Sequence, residues 1–212
     1  MEERRERKKR QTREALVRAA LELFDAKGYE HTAVREITDA VDVSERTFFR
    51  YFASKEDLAL SFVLDWSDAL LAALTARPAG EDPLTALRNA FHESMRAQEV
   101  ARDADGGPDG TTGAPTYLLV ARLIDSTPAL LAANLRFLHD RDDEVIRVLA
   151  AREGVDPVAD LRPRVLAAVF GSLIFLANHQ WRAIGGTSVE AMLGAFDAYA
   201  DQFTPALFGH WT

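Results

Sequence analysis

Residues 43–58 read VSERTFFRYFASKEDL and set Phe48, Phe49, Tyr51 and Phe52 among Arg46, Arg50 and Lys55. Guanidinium and ammonium groups pair with phosphate oxygens and guanine edges, and aromatic rings pack on sugars and thymine methyls, so the mixture suits nucleic-acid contact. A plainer account is a half-buried helix, with Phe48 and Phe52 turned inward four residues apart and Arg46 and Arg50 on a solvated face. Nothing else along the chain suggests covalent chemistry. The five histidines (His31, His92, His139, His179, His210) are scattered, outside any metal-ligand or nucleophile–base spacing. There is no cysteine and no glycine-rich phosphate loop. Asp103, Asp105 and Asp109 loosely resemble a calcium loop, but Ala114 stands where a bidentate Glu is required. The expectation is a protein without catalytic activity, metal or cofactor.

Helical periodicity dominates and no useful period-two run occurs, so the fold expected is all-α. A first helix spans about Thr12 to Lys27, with Leu16, Ala19, Ala20, Leu23 and Phe24 on one face and Gly28 ending it. A short helix from about Ala33 turns Val34, Ile37 and Val41 inward. Asp42-Val43 then makes a tight turn, and Ser44 caps a helix ending near Phe52. Ser54-Lys-Glu-Asp57 is a capping-box-like start for a fourth helix reaching about Ala76. An N-cap followed by proline marks three more starts, at Asp82-Pro83, Thr127-Pro128 and Asp156-Pro157. Residues 101–115 read as a mobile loop, and two strongly apolar helices close the chain, at about 160–184 and 188–208.

The net charge of −8 hides an asymmetry: up to Lys55 there are 13 basic and 11 acidic residues, and beyond it 12 basic and 22 acidic. Affinity for DNA depends on local positive charge, so the acidic total does not exclude it. The N-terminus, MEERRERKKRQTRE, lacks the apolar core of a secretory signal, and the apolar run at 165–177 is too short to span a bilayer. A cytoplasmic protein without a membrane association is expected.

Two short helices joined by a tight turn describe a helix-turn-helix. Residues 12–58 then resemble the DNA-binding domain of the tetracycline repressor (TetR) family over about a quarter of the chain. The matching segments run from Phe24 to Tyr29, Thr32 to Ile37 and Val43 to Leu58. Two positions depart from the pattern: Asp42 replaces a turn glycine, and Phe49 replaces a tyrosine whose hydroxyl contacts phosphate. The resemblance implies DNA contacts from Arg35, Ser44, Arg46, Thr47, Phe49, Arg50, Tyr51 and Lys55, with Phe48 and Phe52 holding the recognition helix. Arg4, Arg5, Arg7, Lys8, Lys9 and Arg10 read as a flexible basic arm.

The expected division is a DNA-binding domain at 1–55 and an effector-binding and dimerisation domain at 56–212. The resemblance implies a homodimer through the last two helices, with Leu166, Val169, Phe170, Leu173, Ile174, Ala177, Trp181, Met192, Phe196, Tyr199 and Phe203 as candidates. It also implies an effector cavity; Trp66, Leu70, Phe91, Met95, Tyr117, Phe137, Phe170, Ile174, Asn178 and Trp181 are its candidate lining, although each alone suits ordinary core. Segments 121–137 and 160–181 resemble the acyl-CoA-like ligand-binding branch, which includes regulators associated with mycofactocin genes. A fatty acyl-CoA is accordingly the leading effector, and control by a protein partner or a planar drug-like ligand is the alternative. Arg122, Arg136 and Arg141 could meet an anionic head group, with surface ion pairs the simpler role.

Overall fold

The computed structural model describes residues 2–104, 116–186 and 188–202, with side chains left out at a few positions beside the gaps. The chain divides into two compact units, 1–64 with 116–135 and 65–115 with 136–212, so the boundaries fall inside two long helices. The described residues are helical, without a strand.

The first unit contains α1 (Glu2–Lys27), α2 (Val34–Ala40), α3 (Glu45–Phe48), the start of α4 (Lys55–Ala76), α6 (Thr116–Ser126) and the start of α7 (Pro128–Glu153). Its core joins Leu16, Ala20 and Phe24 of α1 to Ile37, Phe48, Phe52 and Leu58, and to Val120 and Ile124 of α6. Helix α1 begins about ten residues before the expected start, so the basic segment is helical rather than a flexible arm. Its Arg, Lys, Glu and Gln are good helix formers, and Arg10–Glu14 (3.4 Å) and Lys9–Glu6 (3.9 Å) pair along the exposed surface. Gly28, at φ 89°, ends α1 as expected. Helix α4 starts with a capping-box-like pair: Asp57 N–H donates to Ser54 Oγ (3.0 Å), and Asp57 Oδ2 accepts from Ala53 N–H (2.8 Å), one residue before the N-cap.

The second unit contains the rest of α4 and α7, with α5 (Pro83–Ala104), α8 (Arg162–Ala183) and α9 (Val189–Ala200). Asp82 caps α5 by accepting from Thr85 N–H at 3.0 Å, and α7 starts at Pro128, as the Asp82-Pro83 and Thr127-Pro128 pairs imply. The third pair differs. Asp156 Oδ1 accepts from Val158 N–H (2.9 Å), which closes a turn, and α8 begins only at Arg162, with Pro163 in its first turn. The C-terminal carbonyls of α4 are satisfied from α7: Arg152 donates to Arg77 O (2.8 Å), Pro78 O (2.9 Å) and Leu74 O (3.4 Å). By length and composition α4 resembles a membrane span, but half of its apolar window is already buried within the protein.

Helices α8 and α9 pack face to face. Leu166, Phe170, Leu173, Ala177 and Trp181 of α8 and Met192 and Phe196 of α9 are buried within the chain, which corrects their expected place on an intermolecular surface. The exposed face of α8 is Leu161, Val165, Ala168, Ser172, Phe175, Leu176 and His179, an i, i+3/i+4 stripe; Ala191, Gly194 and Ala198 are exposed on α9. Apolar content alone could not separate the two faces, because both sides of α8 are apolar. Phe203 lies outside the described residues, as do the side chain of Asp103 and all of Asp105, Asp109 and Ala114.

The α8–α9 connection requires glycine twice. Gly185 has φ 68°, and a Cβ on Gly186 would lie 2.0 Å from Trp181 Cδ1. We predict that Gly186→Ala lowers stability by about 2–4 kcal/mol, because the indole it strikes is buried and has nowhere to move. Thermal or urea unfolding checks this, and an unchanged midpoint would contradict it.

Candidate nucleic-acid interface

The α2–α3 turn is built from its last carbonyls. Val43 N–H donates to Thr38 O (3.0 Å) and Asp42 N–H to Asp39 O (3.3 Å), a Schellman arrangement that places Asp42 at φ 54°. The turn therefore keeps the left-handed geometry expected despite lacking glycine, since Asp tolerates it better than most residues. The equivalent closures after α7 and α8 use Gly154 (φ 67°) and Gly185 (φ 68°). Ser44 then caps α3, accepting from Thr47 N–H at 3.2 Å, with its Oγ 3.0 Å from Thr47 Oγ1. Regular α-helix ends at Phe48, and the chain continues to Phe52 through bonds such as Tyr51 N–H to Phe48 O (2.8 Å).

Phe48 and Phe52 are buried with ring centroids 5.6 Å apart, so they anchor the segment as expected. Arg35, Ser44, Arg46, Phe49 and Arg50 are exposed, while Thr47 and Tyr51 are half-buried. Phe49 is 55 % exposed, an unusual position for a large ring, and stacks edge-on against Phe48. Arg50 lies over the Tyr51 ring (5.0 Å) and donates to its hydroxyl (3.2 Å), which pre-orients the guanidinium. Arg35 shares only a loose pair with Asp39 at 3.8 Å. This face thus presents three arginines and a ring on a fixed backbone, an arrangement able to bind phosphates and read base edges.

Lys55 has a role the sequence did not suggest. Its ammonium donates to Tyr29 O (2.7 Å) and Thr32 O (3.0 Å) and lies 4.1 Å from the Tyr29 ring centroid. Lys55 therefore ties the start of α4 to the α1–α2 connection, with two of its three donors in use. Burial pushes the Tyr29 hydroxyl up to about 12, with Glu56 and Glu30 adding to the shift. A second tie joins Lys27 to Glu36, whose other oxygen accepts from Ala33 N–H at 2.8 Å. The bond from Lys27, and then that from Ala33, hold the Glu36 carboxyl below its usual value of 4.5. This link is complete at neutral pH and is lost as pH falls through the lowered value.

The candidate effector residues lie elsewhere. Trp66, Leu70, Phe91, Met95, Phe170 and Trp181 are buried, and Phe137, Ile174 and Asn178 are half-buried. Phe91 forms the centre of an aromatic cluster, with centroids 6.0 Å from Trp66, 6.1 Å from Phe170 and 4.6 Å from Phe196. Trp181 packs on Gly186 instead. Tyr117 lies in α6, with its side chain outside the described set. Arg141 pairs with Asp68 and Glu144 and donates to Ser67 Oγ (2.9 Å), and Arg122 pairs with Asp25 (2.7 Å), so both are engaged within the protein.

Two predictions follow from the turn and the tie. Lys55→Ala lowers stability by about 1–3 kcal/mol, through lost charge-assisted bonds and the cation–π contact. Asp42→Gly raises it by about 0.5–1 kcal/mol, by relieving the left-handed backbone. Chemical denaturation of both variants is the check; a neutral Lys55→Ala or a destabilising Asp42→Gly would contradict the assignments.

Comparison with known proteins agrees with this geometry. Residues 16–62 match the family described as bacterial regulatory proteins, tetR family, and residues 81–204 match the MftR C-terminal domain. The transcriptional regulator TcmR of Streptomyces glaucescens is 44% identical over 207 residues, covering 98% of this chain and 89% of that protein. MftR of Mycobacterium tuberculosis, proposed as a mycofactocin biosynthesis transcriptional regulator, is 26% identical over 83% of this chain and 82% of its own length. A TerR/AcrR-family transcriptional regulator from Aquifex aeolicus shares the fold, with a TM-score of 0.53 and 17% identity over 91% of this chain and 99% of that one. A helix-turn-helix with an arginine face, joined to an MftR-type helical body, therefore belongs to the TetR family of transcriptional regulators, not to an enzyme family.

Proposed function

We propose that this regulator acts in the cytoplasm as a repressor that binds a near-palindromic operator as a homodimer and is released by a small apolar effector. The observation that carries the reading is the exposed set Arg35, Arg46, Phe49 and Arg50 on a capped, anchored α2–α3 motif. The proposed division of labour assigns DNA binding to residues 1–55 and effector binding and dimerisation to 56–212. Thr47, Ser44 and Tyr51 complete the DNA-facing set, and Phe49 offers ring contact where a hydroxyl would reach phosphate. Lys55 contributes mainly by positioning, with one donor left for phosphate. The helical basic start of α1 adds phosphate contacts.

One helix-turn-helix reads too few base pairs for useful specificity, so two are needed about 34–36 Å apart. The exposed apolar stripe of α8 with the small residues of α9 supports dimerisation there, because such a surface is costly to leave in water. For the effector, a fatty acyl-CoA is the leading class, supported by the likeness of 121–137 and 160–181 to acyl-CoA-sensing regulators and by the match to the MftR C-terminal domain. The alternative effector is a planar drug-like molecule, or control passes to a protein partner. A ligand that fits the body in only one conformation shifts the population towards it, and about 1–3 kcal/mol of coupling releases DNA roughly 5- to 150-fold.

Three outcomes test the reading. Operator affinity falls steeply between low and physiological salt, and Arg46→Ala weakens it further with an unchanged unfolding midpoint; salt-independent binding would sink the DNA assignment. Phe175→Glu yields a folded monomer that has lost tight operator binding, whereas Phe196→Glu fails to fold, and a dimeric Phe175→Glu in sedimentation moves the interface elsewhere. Acyl-CoAs of increasing chain length, with free CoA as control, release the operator; release by a planar drug alone would remove the acyl-CoA assignment and leave the regulator.

A further inference from the structure

The second unit contains a buried donor that the fold does not use. Trp66 is 7% exposed, and its Nε1–H is sealed from solvent without a hydrogen-bond partner. Two buried hydroxyls of the same unit are treated differently. Ser67 Oγ accepts from Arg141 Nε (2.9 Å), and Ser94 Oγ donates to Phe91 O (2.9 Å). The Phe91 ring meets Trp66 in a T-shaped contact at 6.0 Å, which supplies packing but no lone pair. A buried indole N–H usually finds an acceptor, and leaving it without one is costly. Phenylalanine would fill much of the same space at no such cost, so packing alone does not account for tryptophan here.

Resting on the effector reading above, we propose that Trp66 Nε1–H takes a carbonyl oxygen of the effector, making Trp66 the residue that fixes the effector's orientation against the aromatic wall of Phe91 and Phe170. The effector class is thereby narrowed from any apolar molecule to one that places a carbonyl among apolar surface. A fatty acyl thioester has such a group, and so does a planar aryl ketone. A bare hydrocarbon lacks it and leaves the donor unpaired, so discrimination comes from a group the protein has already buried.

Matched ligands with and without the carbonyl test this. One pair is decanoyl-CoA and its thioether analogue S-decyl-CoA; the other is 9-fluorenone and fluorene. In the full-length protein the carbonyl member of at least one pair binds about tenfold more tightly, the size of one net hydrogen bond, and that pair identifies the source. Trp66→Phe abolishes the preference between the members of that pair. In the wild-type protein the Trp66 indole N–H resonance moves downfield with the carbonyl member and not with its partner, a readout independent of how the variant folds. A preference that survives Trp66→Phe, or binding without preference in both pairs, overturns the proposal and leaves the effector site standing. Failure of all four molecules to bind overturns both.

Discussion

The Lys55 ammonium is the contact on which the DNA-facing unit most depends. It closes on two carbonyls, Tyr29 O and Thr32 O, in a connection that has no side-chain cap of its own at Ala33. Those carbonyls stand between α1 and α2, and α2 in turn sets the angle of the α3 turn. A cation over a tyrosine face and on two lone pairs makes a directional joint, which apolar packing alone would leave loose. With that joint closed, Phe48 and Phe52 point into the core, and Arg46, Phe49 and Arg50 have no choice but to face outward. The exposed arginine face thus rests on core packing together with the charged ties from Lys55 and Lys27.

The same logic of satisfied carbonyls recurs along the chain. Asp42, Gly154 and Gly185 each take the left-handed position after a helix, while Arg152 crosses from α7 to finish α4. The helix C-termini described here are closed by backbone turns and a long cationic side chain. Among the described residues, the one such turn that takes a non-glycine lies just before α3, where the Asp42 side chain also adds a negative charge beside the exposed arginines. That charge and the adjacent Asp39 and Glu45 keep the face from being uniformly basic. On the DNA-contact reading proposed above, contacts fall to particular arginines in particular places, which favours discrimination over indiscriminate attraction.

Much of the first unit was legible in the sequence because its signals are local. Gly28, Asp42, Ser44 and the Ser54–Asp57 box each act within a few residues, and each appears where their chemistry demands. Position alone misled at Asp156-Pro157, where an aspartate bonded to the second residue on makes a turn as readily as a cap. The basic N-terminus was read as an arm because it lacks apolar periodicity, yet its composition is strongly helix-forming once α1 is nucleated behind it. What could not be read was tertiary. Lys55 meets carbonyls 23 and 26 residues away, and nothing in SKEDL announces it. Likewise, a helix apolar on both sides conceals which side is core: Phe170, expected at an intermolecular surface, is buried, and the exposed Phe175 carried no expectation. Trp66 reads as one more core aromatic until its nitrogen is found without a partner.

The most direct measurement of the central claim is selection of bound duplexes from a randomised DNA pool by the full-length protein, followed by sequencing. Two recognition helices related by a two-fold axis predict enrichment of an inverted repeat, its half-sites centred about one helical turn or a multiple apart, roughly 34–36 Å per turn. Enrichment of a single half-site or a direct repeat would contradict the symmetric assembly, and recovery of the pool without any sequence preference would contradict a DNA-reading role altogether.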